Sequence, residues 1–212
     1  KPVAKGGISG RAEATGRGVV YALRSFFDCP EDVAKAGLKP GLRGKRIIVQ
    51  GLGNVGYHAA KILFEEDDAL ITHVMERDGA VVDESGINIE TLKSHISSTG
   101  SVLGYTGYVE SGLEILESDA DIIIPAAMEL VITEANAKNI KAPLIIEAAN
   151  GPVSAKADAI LRDLGVIIIP DLYANAGGVT VSYFEWIKNL SRIRFGRMQR
   201  RADESRYGAL IE

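Results

Sequence analysis

Lys45-Arg46-Ile47-Ile48-Val49-Gln50-Gly51-Leu52-Gly53-Asn54-Val55-Gly56 is an apolar run closed by three glycines, and a helical pattern beginning His58-Ala59-Ala60-Lys61-Ile62-Leu63 follows it. That order reads as strand, turn, helix. In such a turn Gly51 serves the tight bend, Gly53 lets the backbone approach a pyrophosphate, and Gly56 lets the helix lie close on the strand. The free N–H groups of the helix start then face the anion. Glycines also mark ordinary turns, so a structural turn in some other α/β domain is the alternative. The strand in front of the glycines favours a dinucleotide site.

The chain has 212 residues, 46% of them hydrophobic and 25% charged, which is ordinary for a globular protein built around one core. A net charge of −4 argues against nucleic acid as the main partner. No apolar stretch approaches the ~18 residues of a membrane span, and the first residues carry no signal-peptide core. The sole cysteine, Cys29, excludes an intrachain disulfide and fits a reducing compartment. Its place in Asp28-Cys29-Pro30 reads as a helix-end residue rather than a nucleophile. No initiator Met is present, which suggests a piece of a longer polypeptide.

Strand-like runs recur at 47–50, 69–75, 121–125, 143–147 and 166–170, with helical patterns between most of them. They are nearly all Ile, Val and Leu, as strands covered on both faces require. The fold class expected is therefore α/β, a doubly wound, mainly parallel sheet of Rossmann-like type. Ser154 is placed to cap a helix over 155–164 that Gly165 ends, and Thr133 to open one over 134–139. Val20, Leu23 and Phe27 share a helical face ahead of the first strand. The segment 80–88, with Asp83 and Gly86, predicts a short hairpin, and 97–112 an irregular connection. Residues 1–44 are read as leading helices, 45–190 as the core and 191–212 as a helical tail. Six arginines between Arg192 and Arg206, interspersed with Asp203 and Glu204, suggest a solvated helix face or a subunit contact more than a nucleic-acid patch.

A dinucleotide fold places an acidic side chain about twenty residues past the glycines, on the adenosine ribose. Glu76 stands 25 residues after Gly51, at the end of the second run. Its carboxylate would repel a 2′-phosphate and so favour NAD over NADP. The adjacent Arg77 could instead pair with that phosphate, and Glu76 could be an exposed charge before a turn. Three clusters of small residues with Asn and Gly follow later strands, at 125–129, 147–152 and 170–178. Open α/β sheets bind ligands at such strand ends.

With these motifs in hand the resemblance is specific. Gly-Arg-Ala-Glu-Ala-Thr-Gly-Arg-Gly-Val at 10–19, Val-Gln-Gly-Leu-Gly-Asn-Val-Gly at 49–56, Pro-Ala-Ala at 125–127, Ala-Asn-Gly-Pro at 149–152 and Asn-Ala-Gly-Gly-Val-Thr-Val-Ser-Tyr-Phe-Glu-Trp at 175–186 together resemble the cofactor-binding half of the hexameric glutamate dehydrogenases, in order, from Lys1 to about Gly196. The resemblance implies that Arg11, Thr15, Gly51, Gly53, Asn54, Val55, Gly56, Glu76, Ala126, Ala127, Asn150 and Asn175 meet NAD or NADP. Thr15 would bond the nicotinamide carboxamide, and Ala126 and Asn150 would line the nicotinamide and its ribose. Asn175, Val179 and Ser182 would face the reacting amino acid, Ser182 at its distal carboxylate. Two positions depart from the family pattern: Leu52, where Phe is frequent, and Ala148, where Gly is usual and where a methyl could narrow the backbone's approach to the cofactor. From the residues alone, Thr15 could cap its own helix and Ser182 could bond back to the preceding turn.

The family's catalytic lysine and proton-shuttling carboxylate belong to an N-terminal domain that this chain does not match; Lys5-Gly6-Gly7 reads as a linker. The resemblance therefore implies the NAD(P)-binding domain of an enzyme that interconverts L-glutamate with 2-oxoglutarate and ammonia, a homo-hexamer at full length. The cytoplasm, or the mitochondrial matrix in a eukaryote, would house it. No catalytic residue and no metal ligand is expected in this chain, which by itself should bind dinucleotide without turnover. The alternatives are a branched-chain or aromatic amino-acid dehydrogenase, which the 179–186 segment disfavours, and a non-catalytic nucleotide-binding module.

Overall fold

In the computed structural model, residues 3, 7–110 and 112–190 are described. The arginine-rich tail and the Lys5-Gly6 part of the linker lie outside them. Two helices lead, α1 (Ala14–Phe27) and α2 (Pro30–Lys35), and β1 (Arg46–Gln50) follows, then α3 (Asn54–Asp67) and β2 (Leu70–Glu76). The chain continues through β3 (Gly79–Val82), α4 (Ile89–Thr99), β4 (Tyr108–Val109), β5 (Ile122–Pro125) and β6 (Leu144–Ile146). It closes with α5 (Ala155–Asp163), β7 (Ile167–Ile169), α6 (Asp171–Ala174) and α7 (Ala176–Leu190).

These strands form one seven-stranded sheet in the order β4-β3-β2-β1-β5-β6-β7. Strands β2, β1, β5, β6 and β7 run parallel, and β3 and β4 add an antiparallel edge. The chain winds outward from β1 to β2 and returns to β5 on the other side of β1. That reversal opens a crevice beyond the carboxyl ends of β1 and β5.

The alternation that buries the sheet on both faces is readable strand by strand. Ile47 and Val49 of β1, Ile122 and Ile124 of β5, and Leu144 and Ile146 of β6 join the core beneath α1 and α3. Ile48, Ile123 and Ile145 join the opposite core with Ala157 and Leu161 of α5. Successive side chains of a strand point to opposite faces, so an all-aliphatic run supplies both layers at once.

Ser154 caps α5 as expected, its side chain accepting from Ala157 N, and Gly165 follows the helix at φ +81°. Three expectations are corrected. The hairpin turns at Arg77-Asp78 rather than within 80–88: Glu76 pairs with Gly79 across a two-residue loop. Asp83 instead shapes a polar turn into α4, its carboxylate accepting from Ser85 N. The segment 97–112 holds the last turn of α4 and the short strand β4, and the helix expected over 134–139 is only a 3-10 turn, Ala137–Asn139.

Candidate functional site

The turn after β1 assigns each glycine a separate physical task. Gly51 sits at φ +88°, a conformation that side chains disfavour, and a Cβ there would stand 2.4 Å from the Ala127 methyl. A Cβ on Gly56 would collide with the Gly51 carbonyl oxygen, only 1.9 Å away. Gly53 has nothing within 4 Å of its would-be Cβ, so its side of the turn faces open space. Gly53 is also the N-cap of α3 and offers no side-chain cap, and the first turn of the helix holds no acidic residue. The helix start thus leaves backbone donors and the positive end of its dipole facing outward, a cradle for an anion.

Beyond this turn lies a cleft of about 410 Å³ lined by Thr15, Val55, Ala126, Ala127, Ala148, Ala149, Asn150, Asn175 and Val179. Seven of these are residues expected to meet cofactor or substrate; to them are added Ala148, the departure from the family pattern noted in the sequence, and Ala149, both from the cluster at 147–152. Both N–H groups of the added pair donate to the Pro125 carbonyl, at 3.0 and 2.8 Å, which draws the ends of β5 and β6 together. The Asn175 amide donates to Asn150 Oδ1 at 2.8 Å and bridges the same wall to the start of α7. Small side chains and paired amides make a flat-walled slot that suits a planar ring.

Gln50, buried at the end of β1, escapes the motif reading although it organises the slot. Its Oε1 accepts from Ala127 N at 3.2 Å and its backbone carbonyl from Ala126 N at 2.8 Å. The sequence signal is a polar residue at the last position of a strand, directly after the aliphatic run Ile47-Ile48-Val49.

Helix α1 meets its neighbours through glycine. A Cβ on Gly16 would fall 2.8 Å from Ala59 N of α3, and one on Gly177 2.5 Å from the Ala14 carbonyl oxygen. A Cβ on Gly178 would overlap the Thr15 hydroxyl. Thr15 therefore stands in the slot rather than at a cap: the N-cap of α1 is Glu13.

Other expected residues fall outside the lining. Asn54 ties the turn to the segment before α1, donating to the Ala12 carbonyl at 2.7 Å. Glu76 accepts from Leu52 N through Oε1, and its second oxygen has no partner among the described residues. Arg11, expected at the cofactor, instead pairs with Glu185 of α7 at 2.5 Å. The reason is electrostatic: Glu185 is buried, and a buried carboxylate needs a cation. Ser182 lies one helical turn beyond Val179 on the same face of α7. Its hydroxyl has no partner among the described residues, whereas Thr180 does bond back, to the Ala176 carbonyl at 2.9 Å.

At the outer edge of the slot, Glu147 accepts from Asp171 N at 3.0 Å, and the Asp171 carboxylate accepts from Gly151 N at 2.9 Å. Burial holds the Glu147 carboxyl above its usual range, opposed by the Asp171 N–H and reinforced by the Asp171 charge. A carboxyl with a raised folded pKa contributes stability below its unfolded value of ~4.3, and loses it as pH rises through the folded value. Glu147→Gln keeps an acceptor for Asp171 N and removes the titration. The variant should be the more stable at neutral pH, with the gap closing below about pH 4. Parallel melting-temperature profiles from pH 3 to 8 would refute this.

The architecture is that of a doubly wound α/β domain with its ligand cleft at the topological switch point. Residues 6–204 match the family model for glutamate/leucine/phenylalanine/valine dehydrogenase, and the chain belongs to that family. It is 52% identical over 208 residues to a probable glutamate dehydrogenase of Sinorhizobium fredii, covering 96% of this chain and 46% of that protein. It is 49% identical over 214 residues to the mitochondrial glutamate dehydrogenase of Dictyostelium discoideum, covering 100% of this chain and 42% of that protein. Among solved structures it is similar to the Leu-bound hetero-hexameric glutamate dehydrogenase of Thermus thermophilus, with a TM-score of 0.81 at 28% identity over 96% of this chain and 46% of the other. The glutamate dehydrogenase of Peptoniphilus asaccharolyticus gives 0.71 at 35% identity over 92% and 43%. The chain spans less than half the length of these curated relatives. Among the described residues no helix is long and apolar enough to cross a membrane.

Proposed function

We propose that this chain is the dinucleotide-binding domain of a glutamate dehydrogenase, residues 1–212 forming one such domain. The observation that carries the reading is the glycine turn, in which Gly53 alone faces open space at an uncapped helix start. A pyrophosphate fits that cradle, and the slot beside it takes the nicotinamide between Thr15, the alanines and Asn150. When bound, the nicotinamide exchanges a hydride with the substrate carbon as L-glutamate is interconverted with 2-oxoglutarate and ammonia. The chain's own residues orient that ring, and Ser182 donates to the distal carboxylate of glutamate. Glu76, with one oxygen free, favours NAD. The catalytic acid–base groups belong to a preceding domain, and closure of the two domains keeps water from the reacting centre. The full-length enzyme is then a homo-hexamer of the cytoplasm or mitochondrial matrix.

The purified 212-residue chain should bind NADH, followed by fluorescence titration, and should not oxidise glutamate in a parallel assay. Absence of NADH binding would overturn the domain assignment. Measurable turnover would show that the catalytic groups lie in this chain after all.

A further inference from the structure

Lys93 of α4 reaches across to the glycine turn and donates to the Leu52 carbonyl at 2.7 Å. The same residue's N–H is held by Glu76. Leu52 thus has its N–H on a carboxylate from the end of β2 and its carbonyl on an ammonium from α4, at the strand end where a dinucleotide's adenosine ribose lies. The ammonium is half-buried and has no carboxylate within ion-pair distance among the described residues. The acidic residue one turn back, Glu90, is engaged by Lys61 at 2.8 Å and by the Tyr57 hydroxyl at 2.7 Å. What faces Lys93 instead is the Tyr57 ring, 5.4 Å from Nζ.

A lysine has three donors, and the Leu52 carbonyl uses one. An ammonium with spare donors and no carboxylate in ion-pair contact among the described residues is available to an anionic ligand. The ribose of NAD brings only hydroxyls to this place, whereas that of NADP brings a 2′-phosphate.

We propose that Lys93 is a specificity-determining residue of the adenosine subsite, where its ammonium pairs with a 2′-phosphate and lets the site accept NADP beside NAD despite Glu76. The proposal rests on the dinucleotide reading above and goes further in naming the charge that offsets Glu76. The two groups act in opposite senses on one ligand atom group: Glu76 favours the free ribose hydroxyls, and Lys93 the phosphate. Arg77, exposed at the hairpin tip, is the rival cation.

Two small probes isolate the contact: 5′-AMP, and adenosine 2′,5′-bisphosphate, which differs from it only by the 2′-phosphate. Calorimetric titration of the purified chain should show that Lys93→Gln weakens the bisphosphate roughly tenfold or more, as loss of a charged hydrogen bond does, with 5′-AMP moving less than about twofold. Lys93→Arg should restore most of the loss. The Kd ratio of NADPH to NADH should widen in step. If both probes weaken equally, Lys93 only props the turn and the proposal falls. If Lys93→Gln changes neither probe and Arg77→Gln carries the bisphosphate effect, the phosphate belongs to Arg77 and the proposal falls. Failure of the unsubstituted chain to bind either probe or NADH would remove the dinucleotide reading itself, an outcome distinct from both.

Discussion

Gly56→Ala should destabilise the chain by at least about 3 kcal/mol, the upper end for an added methyl in a packed interior, lowering the melting temperature by roughly 6–12 °C. The new Cβ would lie 1.9 Å from the Gly51 carbonyl oxygen and 3.2 Å from the Ala126 methyl. The first of these is backbone and cannot rotate away, so α3 must move off β1. Alanine gains up to about 1 kcal/mol over glycine as a helix former, which does not offset the clash. Gly53→Ala is the matched contrast. Its Cβ enters open space at φ −68°, so stability should scarcely change. The methyl then occupies the approach to the helix start, and NADH affinity should fall on the order of tenfold or more. Thermal melts and NADH titrations of the two variants check both halves. Equal stability of the two would mean that the Gly56 contact relaxes without cost.

Ser182→Ala, made in the full-length enzyme, should lower kcat/KM for glutamate by roughly 10- to 150-fold, the value of about 1.5–3 kcal/mol for a hydrogen bond to a charged group. Ser182 shares the face of α7 that carries Val179 into the slot, and its hydroxyl has no partner among the described residues. An uncommitted donor one turn beyond the slot is available to an anion. NADH affinity should hold. The decisive quantity is the ratio of kcat/KM for glutamate to that for norvaline, which lacks the distal carboxylate. A ratio unchanged by the substitution would mark Ser182 as a packing residue and withdraw the main side-chain support for glutamate as substrate.

The parallel sheet is legible because all-aliphatic runs have few other uses, and the three glycines are legible because each is required by a different contact. The edge of the sheet is less so. Helix α4 buries only Ile89 and Leu92, and its last turn is Ser97-Ser98-Thr99, residues that read as loop. There the hydroxyls accommodate themselves to the helix, Ser97 donating to the Lys93 carbonyl at 2.8 Å and Thr99 to the His95 carbonyl at 2.8 Å. Asn88, accepting from Thr91 N, was the available signal for its start. The hairpin is misplaced by a few residues because Asp83-Glu84-Ser85-Gly86 has turn composition, while the actual tip is the less typical Arg77-Asp78. In the slot, the alanines and amides are readable as clusters at strand ends. Arg11 is not, because its partner Glu185 lies far along the chain and only the packing of α7 brings the two together. Lys93 is hidden for the same reason: nothing in its local sequence points to Leu52.

The glycine seam between α1 and α7 bears on how this cleft can change. Thr15 stands on one of these helices and Val179 on the other, and the helices meet main chain to main chain at Gly18 and Gly177. Two helices that touch through leucines can slide apart by a rotamer flip; two that touch through backbone have no such slack. The spacing between those walls is therefore a fixed dimension of the scaffold, insensitive to substitutions in the surrounding core. A longer or bulkier guest has to be admitted by shortening the side chains that face it, and enlarging the residues behind them would break the scaffold before it widened the slot.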